Sequence, residues 1–189
     1  MGKFDVLDLA KAEFEKRLRL ITDADRVLPT PCSEFTVRDL VFHEIRGVRG
    51  CTVAVSGGST EEVLEAMTVG DIAPNWIEAF NGSFRTMRDK WGMPGVMDRI
   101  VHFPIGDLPA SVLLQFRTAE LAVHSWDLAR AIGVDETIDP VVVSAAWELY
   151  EPMADQLAAS GAFGTGPSGD VPDSAPLQTR LLDLSGRRP

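Results

Sequence analysis

Between Thr118 and Ala129 the chain carries only three ionisable side chains, Glu120, His124 and Asp127. On a helix turning 100° per residue they fall within about 60° of one another, on one face. A carboxylate and an imidazole four residues apart meet on adjacent turns, the geometry by which a helix offers two ligands to one metal ion. Zinc, nickel and iron all accept such donors. Asp127, one turn beyond His124, is placed to orient that ring as a supporting carboxylate.

A polar row of this kind is more often the solvated stripe of a surface helix. Two features count against that here. Leu121, Ala122, Val123, Trp126 and Leu128 make the helix apolar around most of its circumference, and the polar face itself continues through Leu113, Phe116 and Ala131. A buried acid beside a buried imidazole needs compensation. A divalent cation supplies it, and so does a plain Glu-His⁺ ion pair, so the row by itself leaves both open.

The chain has three histidines. His43 lies on a helical face about 140° from the centre of the local apolar stripe, with Gly47, Gly50 and Ala54 following it on that side. Glycine inside a helix costs about 1 kcal/mol against alanine, so two of them imply close approach of a neighbouring helix or room for a ligand. Taken alone, His43 reads as a surface histidine. His102, beside Pro104, reads as structural or exposed. Cys51 falls on an apolar face and reads as a small core residue. Cys32 sits in a turn with no histidine near in sequence to activate it.

These side chains need helices to position them. Apolar residues at three- and four-residue steps predict helices over about Asp5 to Ile21, from Thr36 as N-cap to the Gly57-Gly58 stop, and from about Asp71 to Trp91. A short helix is expected between Ser59 and Gly70, and a short extended piece over Met97 to Phe103. The helix bearing the polar row follows Asp107 and Pro109 and runs to Ile132, before Gly133. Another starts at Asp139-Pro140 and reaches about Ala159, with a kink or break at Pro152. Gly161 to Pro172 reads as a surface loop and Leu177 to Leu184 as a last short helix. Long amphipathic helices joined by short turns imply an all-α bundle, whose sites are built from inward-pointing side chains. Residues 1–189 read as a single domain of this kind.

With 189 residues, 45% hydrophobic and 24% charged, the composition is globular. A formal net charge of -10 argues against nucleic acid or anionic membrane as partner. No apolar run approaches a membrane span, and Met1 to Lys16 does not resemble a signal peptide. A cytoplasmic protein with reduced thiols is expected. No phosphate loop or dinucleotide fingerprint is present. A homodimer is left open.

The run Thr30-Pro31-Cys32-Ser33-Glu34-Phe35-Thr36-Val37-Arg38-Asp39-Leu40-Val41-Phe42-His43 resembles the opening of the mycothiol-dependent maleylpyruvate isomerase N-terminal family of the DinB-like superfamily. So does Glu120-Leu121-Ala122-Val123-His124-Ser125-Trp126-Asp127-Leu128-Ala129-Arg130. The ending, Gln178 to Pro189, resembles that of short, single-domain actinobacterial members. The resemblance implies a DinB-like four-helix bundle holding a divalent metal, commonly zinc, with His43, Glu120 and His124 as ligands. It further implies a low-molecular-weight thiol, mycothiol, as cosubstrate. Two departures stand out: the isomerase proper has an additional C-terminal domain, and the usual apolar continuation after His43 is replaced by Glu44-Ile45-Arg46.

Three protein ligands leave an open metal position, the arrangement of catalytic sites. A thiol bound there would attack an electrophilic substrate as thiolate, giving a thiol-activating transferase or isomerase-like enzyme; water in its place would give a hydrolase. The alternatives are a non-catalytic bundle binding metal or a small ligand, and a helical protein whose polar row is only an ion pair.

Overall fold

The computed structural model describes residues 2–33, 35–70, 72–161 and 166–189. Its elements in chain order are α1 (Lys3–Leu18), α2 (Val37–Val55), α3 (Thr60–Thr68), α4 (Trp76–Trp91), a hairpin of β1 (Ile100–Phe103) and β2 (Gly106–Pro109), α5 (Ala110–Ile132), α6 (Pro140–Tyr150), α7 (Ala154–Ser160) and α8 (Leu177–Leu184). The all-α expectation holds; the hairpin is the one sheet among the described residues. None of the described helices is long and apolar enough to cross a membrane. The chain forms two compact units, residues 1–40 with 118–189, and residues 41–117.

The first unit contains α1, the start of α2, the second half of α5, and α6 to α8. Leu7, Ala10, Phe14 and Leu18 line the buried side of α1, at the three- and four-residue steps of a helical stripe. The helix ends at Leu18 rather than Ile21. Arg17, only 1% exposed, is held where it can serve the backbone beyond α5: its Nη2 donates to the carbonyls of Asp135 (3.1 Å) and Thr137 (2.6 Å). Thr36 caps α2 as expected, its Oγ1 accepting from the Asp39 amide at 3.3 Å while the Asp39 carboxylate accepts from the Thr36 amide at 3.1 Å. Gly133, at φ +69°, lets the chain turn out of α5. Asp139 caps α6, accepting from the Val141 amide at 2.8 Å, with Pro140 in the first turn. The break expected at Pro152 is a 3₁₀ turn, Glu151–Met153, separating α6 from α7. α6 packs against α1 and α8. Of the expected loop from Gly161 to Pro172, residues 162–165 lie outside the described residues.

The second unit contains the rest of α2, then α3, α4, the hairpin and the start of α5. Gly57, at φ +91°, terminates α2. Ser59 caps α3, accepting from the Glu62 amide. The spacing predicts an apolar stripe of Ile72, Trp76, Phe80, Phe84, Met87 and Trp91; the last five form it on α4, all buried, and Ile72 precedes the helix. Its start is corrected: the helix begins at Trp76, because Pro74 disfavours helical backbone at Ala73 and the Asn75 side chain accepts from the Glu78 amide at 3.2 Å. Asp71 itself lies outside the described residues. The extended piece is β1, shorter than expected and paired antiparallel with β2 from Ile100↔Pro109 to Phe103↔Gly106. The Trp91 indole donates to the Ala110 carbonyl at 3.2 Å, tying the end of α4 to the start of α5.

Candidate functional site

In the first unit, α5 presents Glu120, His124 and Asp127. From Thr118 to Ala129 every residue except the half-buried Glu120 is buried, so the polar row is not a solvated stripe. His124 Nδ1 and Asp127 Oδ2 are 2.9 Å apart. An ionised carboxylate only accepts, so Nδ1 of His124 carries a ring hydrogen.

Asp127, fully buried, is held from a second side by the C-terminal tail. Arg187 donates through Nε to Oδ1 at 3.1 Å and through Nη2 to Oδ2 at 2.6 Å, the two-pronged geometry that matches a guanidinium to a carboxylate. Burial pushes the Asp127 carboxyl up, but the hydrogen bonds from His124 and Arg187 and the Arg187 charge outweigh it and hold it below the ordinary value. For Arg187 burial acts downward, and the bond to Asp127 reverses it, so the guanidinium is more basic than usual.

In the second unit, His43 stands half-buried on α2 beside Glu44, which is fully buried; donor atoms of the two lie within 4.8 Å of each other. Arg117, 1% exposed, donates from Nη2 to Glu44 Oε2 at 2.6 Å. The glycines beside His43 now have a physical reason. A Cβ on Gly47 would stand 2.3 Å from Arg117 Nη1, and one on Gly50 would stand 2.5 Å from Met67 Cγ. Gly47 therefore makes room for the guanidinium, and Gly50 for a methionine of α3.

Of the remaining candidates, Cys32 acts electrostatically on Arg187. His102 is exposed on β1, its Nδ1 2.7 Å from Asp107 Oδ1. Cys51 is a core residue, 2% exposed, and Cys32 is half-buried; the two do not form a disulfide. Three residues that sequence patterning passed over carry much of the electrostatics: Glu44, Arg117 and Arg187. Arg117 had a signal, a lone cation in the apolar first half of α5. Arg187 had only its place in the tail motif.

The model of the mycothiol maleylpyruvate isomerase N-terminal domain family matches residues 7–129. The chain belongs to this family. The match takes in His43, Glu44, Glu120, His124 and Asp127, and stops short of Arg187. The chain is also 27% identical over 153 residues to two uncharacterized proteins of Mycobacterium tuberculosis, from strains CDC 1551 / Oshkosh and ATCC 25618 / H37Rv, covering 78% of this chain and 74% of each relative. Among solved structures it is similar to the mycothiol-dependent maleylpyruvate isomerase, with a TM-score of 0.55 at 17% identity, covering 84% of this chain and 70% of that one. A histidine-to-alanine mutant of that isomerase gives 0.56 at 18%, covering 88% and 74%. At these identities the likeness shows that the family member shares the isomerase's helical fold.

Proposed function

We propose that the chain binds one divalent cation through His43, Glu120 and His124 and acts as a mycothiol-dependent, thiol-activating transferase or isomerase-like enzyme. The observation that carries this is the buried contact of His124 Nδ1 with Asp127. Metal-binding histidines characteristically give their second nitrogen to a carboxylate, which fixes the tautomer and the ring.

The donor set suits the group. Two imidazole nitrogens and a carboxylate oxygen fit zinc, with nickel and iron close behind. When bound, such a cation lowers the pKa of a coordinated thiol so that it reacts as thiolate near neutral pH. His43 and His124 would bind, and Asp127 holds the hydrogen on Nδ1. His43 belongs to one unit and Glu120 and His124 to the other, so the reading requires residues 1–189 to work as one metal-binding domain.

Mycothiol as cosubstrate is supported by the family and by the isomerases of like fold. The mycobacterial relatives favour an actinobacterial source, and two cysteines not joined in a disulfide accord with a reducing cytoplasm. Glu44 is the competing carboxylate, being near His43, but Arg117 already engages its Oε2.

Elemental analysis of protein expressed without chelators, beside Glu120→Ala, Glu44→Ala and His43→Ala, tests the ligand set. Near-stoichiometric metal that falls with Glu120→Ala and His43→Ala is expected; metal that survives either change refutes the assignment, and loss on Glu44→Ala alone transfers the carboxylate role. Metal-dependent conjugation of mycothiol with a panel of electrophiles tests the activity. Silence across the panel marks a non-catalytic binder.

A further inference from the structure

We infer that Arg187 is a positioning residue for His124, acting through Asp127; this rests on the ligand set proposed above. An aspartate carboxylate rotates over a broad, roughly two-fold torsional profile. Alone on α5, Asp127 would offer His124 an oxygen in many orientations. The Arg187 fork removes that freedom by engaging both oxygens, and Oδ2, the oxygen it holds at 2.6 Å, is the one that meets Nδ1 of His124. Carboxylate plane and imidazole tautomer are thereby set together.

The tail is built to deliver this side chain. After α8 the Gly186 amide donates to the Asp183 carbonyl and the Arg187 amide to the Leu182 carbonyl, both at 2.9 Å. This closes the helix with Gly186 in the left-handed region at φ +77°, where glycine is favoured. Arg187 Nη1 donates back to the Ser185 carbonyl at 2.7 Å, and Arg188 Nη1 reaches Asp183 Oδ1 at 3.4 Å. The guanidinium is 7% exposed, so its donors are spent on protein and not on water.

A purely neutralising role would need only a cation near Asp127. Positioning needs the planar fork, which lysine lacks. The test compares wild type, Arg187→Lys and Arg187→Met, each as the full chain. Imidazole ¹⁵N shifts of His124 are read in metal-free protein, and zinc affinity by competition with a chromophoric chelator. Wild type is expected to show the Nδ1–H tautomer. Arg187→Met is expected to shift toward a tautomer mixture and bind zinc about tenfold to a hundredfold more weakly, the usual effect of removing an outer-shell partner. Arg187→Lys is expected to fall between, with both readouts altered. Should Arg187→Met not fold, Arg187→Lys carries the comparison alone. A lysine variant matching wild type in tautomer and affinity overturns the inference and leaves the ligand set standing. Wild-type protein without zinc affinity removes the ligand set, and the nitrogen shifts still decide whether Arg187 orients the ring.

Discussion

Arg117 and Glu44, 73 positions apart, form an ion pair in which both side chains are withdrawn from water, at 1% and 0% exposure. Such a pair is stable only as a pair. Arg117→Met removes the guanidinium from a fully buried carboxylate and is expected to cost about 3–5 kcal/mol in urea unfolding. The double change Glu44→Leu with Arg117→Met is expected to recover most of that loss. A double variant as unstable as the single one would show that Arg117 stabilises through some other contact.

Gly47→Ala follows from the same geometry. The added methyl would meet Arg117 Nη1 at 2.3 Å, and that nitrogen belongs to a guanidinium tied to Glu44. Overpacking of this kind costs about 1–3 kcal/mol, against the gain of about 1 kcal/mol that glycine-to-alanine brings inside an unobstructed helix. Net destabilisation is expected in wild type, and stabilisation once Arg117 is replaced by Met. Stabilisation in wild type would mean that the guanidinium moves aside freely.

Asp127 gives a pH dependence whose sign is fixed. Its carboxyl is held below the ordinary value of 3.8, so the folded state binds its proton less readily than the unfolded one. The stabilisation is fully present above the unfolded pKa and is lost as pH falls through the folded one. The difference in unfolding free energy between wild type and Asp127→Asn is therefore expected to be flat at neutral pH and to shrink below about pH 4. A difference that grows on acidification would mean that burial, not Arg187 and His124, governs the group.

The start of α4 is also testable. Asn75→Ala removes the side-chain acceptor of the Glu78 amide and is expected to cost about 1 kcal/mol in thermal or denaturant unfolding. No loss would place the cap elsewhere.

Much of this architecture was legible because it is local. The stripe of α4, the Gly57 and Gly133 stops, the Asp139-Pro140 start and the break at Pro152 all follow from residues within a turn or two of each other. The burial of His124 and Asp127 was legible for the same reason, from the apolar residues around them on α5. What stayed hidden depends on residues far apart in the chain. Glu44 looked like an interruption of an apolar run until Arg117 was found against it. The glycines of α2 announced close approach but not what approaches. Arg187 reaches Asp127 across 60 positions, and no helical period connects a tail to a helix. The hairpin was half visible: β1 alternates weakly, whereas the Gly-Asp-Leu-Pro of β2 has little strand character of its own and is extended by its pairing.

Anomalous diffraction at the zinc edge, from crystals of zinc-loaded protein, bears most directly on the central claim. The expected result is one strong peak with His43 and His124 nitrogens at about 2.0–2.1 Å and a Glu120 oxygen at about 2.0–2.2 Å. A peak elsewhere, or one at His124 that lacks His43 or Glu120, would contradict it.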